Sequence, residues 1–269
     1  MKQKSKIFIG VLISLCLIYT ALITSIEAVC YWTPNYFEQE YEKYHVLESL
    51  PDMTMSDEDG LMAVTHHMMK YLRGDKDAPK LQIEVQMGGQ KRGFFTEREI
   101  LHMEDVRNLF VGAQELRISA LLLAAVLLFL LWALCRKNKA GNIHAGASHT
   151  GAILHAGAEN SFEDEGKHIF GCSVAKGLLI GTGIFLVLCI LLGIAVASDF
   201  TNAFITFHHI FFSNDLWILD PSVDMLVNIV PEGFFFDTAS RILILFTGFL
   251  IVSCTAAALY LRRHAGRKM

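Results

Sequence analysis

Charge is what this sequence has least of. Only 19% of its 269 residues are Asp, Glu, Lys or Arg, against roughly a quarter in soluble chains. The deficit is concentrated in four stretches with no charged residue: Ile7–Ile26, Ile118–Cys135, Gly177–Ser198 and Ile242–Leu261. Each is long enough to cross a hydrocarbon core of about 30 Å as a helix. That excludes a soluble globular enzyme. The net charge of −4 and the absence of a basic block exclude a nucleic-acid binder.

Familiar catalytic signatures are also missing. No G-x-S-x-G, H-E-x-x-H or phosphate-binding glycine loop occurs. The spans carry no ionisable acid or base for an ion or proton path, which argues against a transporter. The six cysteines show no C-x-x-C spacing, and only Cys30 falls on the outer side, so no disulfide is expected.

The first span follows Lys2, Lys4 and Lys6 but is longer than a signal h-region of roughly 7–15 residues and lacks a small-residue cleavage site, so it reads as an uncleaved anchor. Lys and Arg set the orientation. They occur in the N-terminal tail, in residues 136–176 and in the C-terminal tail, while 199–240 has none, and the first connection, 27–117, is net acidic and long enough to translocate regardless of its charge. The reading is therefore a four-span α-helical integral membrane protein with a small mixed α/β extracellular cap. Its parts are a cytoplasmic tail (1–6), spans at 7–26, 118–135, 177–198 and 242–261, outer segments at 27–117 and 199–241, a flexible cytoplasmic loop at 136–176 and a cytoplasmic tail at 262–269. The loop holds His144, His149, His155 and His168 in a His-Ala-Gly-rich tract. A solvated linker accounts for it better than a metal-binding tract.

The outer segments carry folding signals. Ser56 followed by acids predicts a helix start, and Leu61, Thr65, Met68 and Leu72 form one helical stripe. Alternating Leu81, Ile83, Val85 and Met87 before Gly88-Gly89 predict a β-hairpin. Thr96-Glu97-Arg98-Glu99 is a capping box opening a helix to about Phe110. Phe200, Phe204, Phe207, Phe211 and Phe212 crowd the second outer segment, and Asp220-Pro221 predicts a short helix that Pro231 ends.

Helical phase sorts the outer histidines. His66, His67 and His209 point away from their apolar stripes, whereas His102 and His208 lie on them. A lone inward histidine is ordinarily a packed, hydrogen-bonded residue. Two of them, each near carboxylates (Glu104 and Asp105; Asp215), point instead to a site.

Two long runs carry a resemblance. Phe94-Phe95-Thr96-Glu97-Arg98-Glu99-Ile100-x-His102-Met103-x-Asp105-Val106 is one, after Leu61-Met62-x-Val64 and Tyr71-Leu72. The other is Phe207-His208-x-Ile210-Phe211-Phe212-x-Asn214-Asp215-x-Trp217, with Asp220-Pro221-x-x-Asp224 and Pro231-Glu232-Gly233-Phe234-Phe235 behind it. Both closely resemble the lipoprotein intramolecular transacylase family of bacterial membrane enzymes, and the order of spans and outer segments is similar too. The His-Ala-Gly tract departs from the family pattern. The resemblance implies an acyltransferase without a cofactor, acting in the bilayer on a diacylglyceryl lipoprotein and moving the glycerol 2-acyl chain to the N-terminal cysteine's amine. It also implies that His102 and His208 carry the chemistry.

The residue types suit that reaction, because the pKa of histidine, about 6.5, lies near that of an α-amine, about 7.7–8.0. Which histidine is base and which acid is open at this stage. Phe94, Phe95, Phe207, Phe211 and Trp217 are expected to wall a water-poor pocket. Asn214 or Arg98 is expected to steady an oxyanion, with Asp215 at the substrate and Glu99 and Asp105 in support. A metal-dependent membrane hydrolase and a non-enzymatic envelope scaffold or sensor are the competing readings.

Overall fold

The structure, a computed structural model, describes residues 3–50, 58–87, 90–143 and 154–265. Nine α-helices are described: α1 (Gln3–Glu27), α2 (Tyr36–Lys43), α3 (Val46–Ser49), α4 (Glu58–Arg73), α5 (Glu97–Ile143), α6 (Leu154–Ser198), α7 (Phe200–Phe211), α8 (Leu226–Ile229) and α9 (Glu232–Ala265). Two strands, β1 (Glu84–Met87) and β2 (Gln90–Gly93), pair antiparallel with Glu84 opposite Gly93 and Met87 opposite Gln90. Among the described residues four helices are long and apolar enough to cross a membrane: Gln3–Trp32, Glu97–Arg136, Gly166–Ser198 and Glu232–Ala265. They contain the four charge-free runs in order.

Contacts divide the chain into two compact units. The first comprises Met1–Thr24, Arg117–Leu191 and Ile244–Met269, the apolar parts of α1, α5, α6 and α9. Its inward residues include Ile13, Leu131 and Cys135. Leu122, Val126, Phe129, Ile190, Ile244 and Val252 point outward and are exposed, as lipid-facing side chains must be. Helices α1 and α6 meet through small residues. A Cβ placed on Gly177 would fall on the Gly10 backbone, and one on Gly181 on the Ser14 hydroxyl. Two helix backbones approach this closely only where neither has a side chain in the way.

The second unit comprises Ser25–Leu116 and Leu192–Leu243. Its core joins Tyr36, Val46, Leu61, Val64, Leu81, Phe94 and Ile229. The predicted stripe of Leu61, Thr65, Met68 and Leu72 on α4 is buried. Ser56 and the Gly88-Gly89 turn lie outside the described residues. The Tyr36 hydroxyl and Thr238 share a hydrogen bond of 2.5 Å, and Arg241 Nη2 donates to buried Glu40 at 2.7 Å, tying α2 to the start of α9.

Three boundaries differ from the sequence reading. Helix α5 does not stop near Phe110 but runs unbroken to Ile143, because the run from Asp105 to Arg117 holds no proline and only one glycine. Residues 136–143 and 154–176, read as part of a flexible loop, are helical. Low apolar content argues against burial, not against helix, and the Ala, Glu and Lys of these stretches extend a nucleated helix readily. Asp220-Pro221 opens a turn rather than a helix: Asp220 Oδ1 accepts from the Ser222 amide at 2.9 Å and from its hydroxyl at 2.7 Å. The helix starts later, at Leu226.

The Gly10–Gly177 approach makes a prediction. Gly177→Val places two methyl groups where the α1 backbone lies, so it is expected to lower the thermal unfolding midpoint of the detergent-purified protein by several degrees. Gly183→Ala, at a position with no neighbour within 4 Å of the added carbon, should leave the midpoint unchanged.

Candidate active site

The site lies within the second unit and grows from the first turn of α5. Thr96 and Glu99 form the predicted capping box: the Thr96 amide donates to Glu99 Oε2 at 2.6 Å, and the Glu99 amide to Thr96 Oγ1 at 3.3 Å. Glu99 does a second thing that the box does not require. It is 0% exposed, and its other oxygen, Oε1, accepts the amide of Leu226, the first residue of α8. Thr96 Oγ1 in turn donates to Asp224 Oδ1 at 2.9 Å, and Asp224 Oδ2 accepts the Asp220 amide at 2.8 Å. Burial pushes the Glu99 carboxyl up from its ordinary range, opposed by the Leu226 and Thr96 hydrogen bonds.

His102 follows Glu99 by three residues, on nearly the same face of α5. His208 comes from α7, whose first turn is capped by Asp199, a side-chain acceptor for the Asn202 amide at 3.0 Å. The two imidazoles are 6% and 7% exposed in the terms of their whole residues, with ring centroids 6.0 Å apart. Aromatic rings surround them. Phe212 meets His102 edge-on at 5.2 Å and His208 at 5.7 Å, Phe204 lies 4.1 Å from His208, and Trp217 stacks on His208 at 4.8 Å.

This environment keeps both histidines uncharged. Burial pushes His102 down to about 4, helped by nearby His208 and opposed by Asp105. Burial also lowers His208, opposed by its bond to Phe204 and helped by His209. His208 Nδ1 lies 2.8 Å from the Phe204 carbonyl oxygen. A carbonyl only accepts, so Nδ1 carries the proton and Nε2 of neutral His208 holds a free lone pair.

The segment after α7 is tied back to α5. Arg98 Nη2 donates to the Asp215 carbonyl at 2.8 Å, and Asn214 Nδ2 donates to Asp105 Oδ2 at 2.9 Å. Asn214 Oδ1 also accepts the Leu216 amide at 3.1 Å. Two buried polar atoms of the site are left without a hydrogen-bond partner among the described residues: His102 Nδ1 and Trp217 Nε1. No group of three His, Cys, Asp or Glu side chains arranged to hold a metal ion occurs among the described residues.

Helical phase therefore brings His102 and His208 together and leaves His66 and His209 exposed, while His67 bonds the Lys80 carbonyl at 2.8 Å. Phe94 and Phe95 pack edge-on against each other at 4.9 Å within the core. Phe207 and Phe211 are 46% and 50% exposed and tilt against each other at 4.7 Å; Phe207 also meets His208 edge-on at 5.6 Å, whereas Phe211 points along the exposed face. An apolar face beside a membrane span also faces lipid. Phe204 and Phe212, four residues to either side of His208, join Phe207 in the wall. That i±4 spacing was the available signal. Asp224 was visible only as the end of the Asp-Pro-x-x-Asp run.

The sequence matches the family model of the lipoprotein intramolecular transacylase Lit over residues 11–235. Among solved structures the chain is similar to the membrane-integral lipoprotein intramolecular transacylase Lit from Bacillus cereus, with a TM-score of 0.67 and 20% identity over 97% of this chain and 98% of that one. Two variants of that protein, with one histidine changed to arginine or to alanine, give TM-scores of 0.63 and 0.62 at 19% and 20% identity. They cover 98% and 97% of this chain, and 96% and 95% of their own. No curated protein sequence matches the chain.

Glu99 is the most exacting residue of this geometry. Glu99→Ala leaves the Thr96 and Leu226 amides without acceptors, a loss of roughly 2–6 kcal/mol at about 1–3 kcal/mol for each such group. Thermal unfolding in detergent should show a clearly lowered midpoint. Glu99→Gln should recover only part of it, because one amide oxygen accepts one N–H while its NH₂ faces the other donor. An unchanged midpoint in both variants would contradict the bridging role.

Proposed function

Since the chain belongs to the lipoprotein intramolecular transacylase family, a family of acyltransferases, we propose that it moves the glycerol 2-acyl chain of a diacylglyceryl lipoprotein to the α-amino group of the lipoprotein's N-terminal cysteine. His102 and His208 serve as the proton-transfer pair. The observation that carries this reading is the buried pair of imidazoles with ring centroids 6.0 Å apart.

The net reaction turns an ester and an amine into an amide and an alcohol. The amine nitrogen bonds to the ester carbonyl carbon while one of its protons passes to a base. The carbon–oxygen bond to glycerol then breaks, and the departing oxygen takes a proton. The fixed tautomer of His208 supports its role as base, since its free Nε2 lone pair is the one available. His102 then gives its ring proton to the departing oxygen as its other ring nitrogen takes the proton held by His208, so it relays the proton without becoming an imidazolate. Neutrality suits the base, because an imidazole already protonated accepts nothing. Both reacting groups sit on one substrate molecule, so positioning contributes heavily to the rate. Burial among Phe204, Phe212 and Trp217 keeps water away from the ester. The exposed faces of Phe207, Ile210 and Phe211 offer apolar surface to the substrate's acyl chains. Lys and Arg occur in both tails and in 136–176 but are absent from 199–240, and the net-acidic segment 27–117 is long enough to translocate whatever its charge, which supports cytoplasmic termini and a site at the outer face of the bilayer.

The test is transfer from a synthetic diacylglyceryl-cysteine peptide to its own amine, followed by mass spectrometry. His102→Ala and His208→Ala should each lose about 10²–10⁴ in rate, and the double variant little more, because two groups acting as one relay are not additive. An active His208→Ala would overturn the reading.

The pH profile is a second test. The histidine shifts are downward, so any inflection that the pair gives kcat/KM should lie below 6.5. The value of kcat/KM should rise through the substrate amine's pKa of about 8. Stability runs with the same sign. An unfolded histidine takes up a proton that folded His102 refuses, so stability should fall as pH drops from 6.5 toward 4.

Orientation is checked separately: an impermeant thiol reagent applied from outside should label Asp57→Cys and miss Thr150→Cys. The reverse pattern would contradict the placement of the site.

A further inference from the structure

Acyl transfer to an amine passes through a tetrahedral carbon bearing a negative oxygen, and enzymes hold that charge with donors already in place. The two donors expected from the sequence each make a bond within the protein. The Asn214 amide nitrogen serves Asp105, and Arg98 serves the Asp215 carbonyl. What these bonds do is fix the 214–217 segment onto α5, the helix that carries His102. The residue so fixed is Trp217. Its indole stacks on His208 with ring planes 29° apart and centroids at 4.8 Å, and meets His209 edge-on at 5.2 Å. Its Nε1–H is buried without an acceptor among the described residues.

A buried donor with no partner is uncommon and destabilising in a resting protein. Trp217 is a donor only, so nothing but an acceptor satisfies it. The stack sets the indole alongside the imidazole that takes the amine proton. Tethering by Arg98 and by the Asn214–Asp105 bond means that the donor requires no reorganisation when charge develops.

We infer that Trp217 Nε1–H is the oxyanion donor of the acyl transfer, with Arg98, Asn214 and Asp105 as the positioning residues that hold the indole against His208. The inference rests on the acyl-transfer reading above. In the step it serves, the amine nitrogen bonds to the ester carbon, the carbonyl π pair moves onto oxygen, and that oxygen accepts the indole N–H. When the bond to the glycerol oxygen breaks, the pair returns and the N–H is released unchanged. Ground-state ester oxygen carries less charge than the adduct, so the donor acts mainly on kcat and little on KM.

The experiment replaces Trp217 in the full-length protein with 3-benzothienylalanine, which keeps the bicyclic shape and has sulfur where the N–H was. Trp217→Phe serves as a second variant. Steady-state transfer is measured on the synthetic diacylglyceryl-cysteine peptide, alongside His208→Ala. The expected result is a fall of about 10²–10³ in kcat for the benzothienyl protein, with KM within twofold of wild type and an unmoved pH profile. Full kcat in the benzothienyl protein would overturn the inference and reduce Trp217 to a packing partner, even if Trp217→Phe were poorly folded. A rise in KM with kcat unchanged would overturn it equally. The reading beneath it fails differently: it falls if His208→Ala transfers at the wild-type rate, whatever the indole variants do.

Discussion

One buried carboxylate holds the site in register. Glu99 closes the first turn of α5 upon itself through the Thr96 amide and simultaneously caps α8 through the Leu226 amide. These two amides lie far apart in sequence and belong to different helices. With Asp224 receiving the Thr96 hydroxyl and the Asp220 amide, four backbone or side-chain donors end on two carboxylates. A carboxylate with no exposure is costly to bury, and hydrogen bonds from amides are what offset that cost. His102 stands one turn beyond this anchor, so its position relative to the 220–226 segment is set before the substrate arrives.

The second constraint is that the site must work without charge. Both imidazoles are driven toward their neutral forms chiefly by burial. For the proposed reaction this matters, since a substrate with two acyl chains would bring apolar surface to the site and leave little water to solvate an imidazolium. A neutral histidine whose Nδ1 proton is committed to a backbone carbonyl is a base at its other nitrogen. The Phe204 carbonyl, made available by the i±4 geometry of α7, thus decides where a proton can be received. A few neighbouring residues of one short helix supply the base, its orienting acceptor and part of the aromatic wall.

The four spans were legible in the sequence, because a hydrocarbon core imposes a minimum run without charge, and α1, α5, α6 and α9 contain those runs. The capping box at Thr96 and the inward faces of His102 and His208 were legible in helical spacing, while the pairing of the two histidines was legible only through the family resemblance. What escaped the sequence depends on partners far along the chain. Nothing at Glu99 announces that Leu226 will lie against it, and nothing at Asp220-Pro221 tells a turn from a helix start. Phe211 and Phe212 are adjacent and chemically identical, so only the turn of α7 against its neighbours separates the exposed ring from the buried one. The unbroken length of α5 was missed for a different reason: a change from polar to apolar composition marks a change of surroundings, not the end of a helix.

The central claim is that this chain transfers an acyl group within one lipoprotein molecule and does not hydrolyse it. A crossover measurement tests it most directly. One diacylglyceryl-cysteine peptide carries deuterated acyl chains and a heavy peptide, a second carries neither, and both are turned over together in water enriched in oxygen-18. The account predicts N-acylated products of the two parental masses alone and no labelled fatty acid. Mixed-mass peptides would show that the acyl group leaves its own molecule, and oxygen-18 in released fatty acid would show a hydrolase; either result would contradict the account.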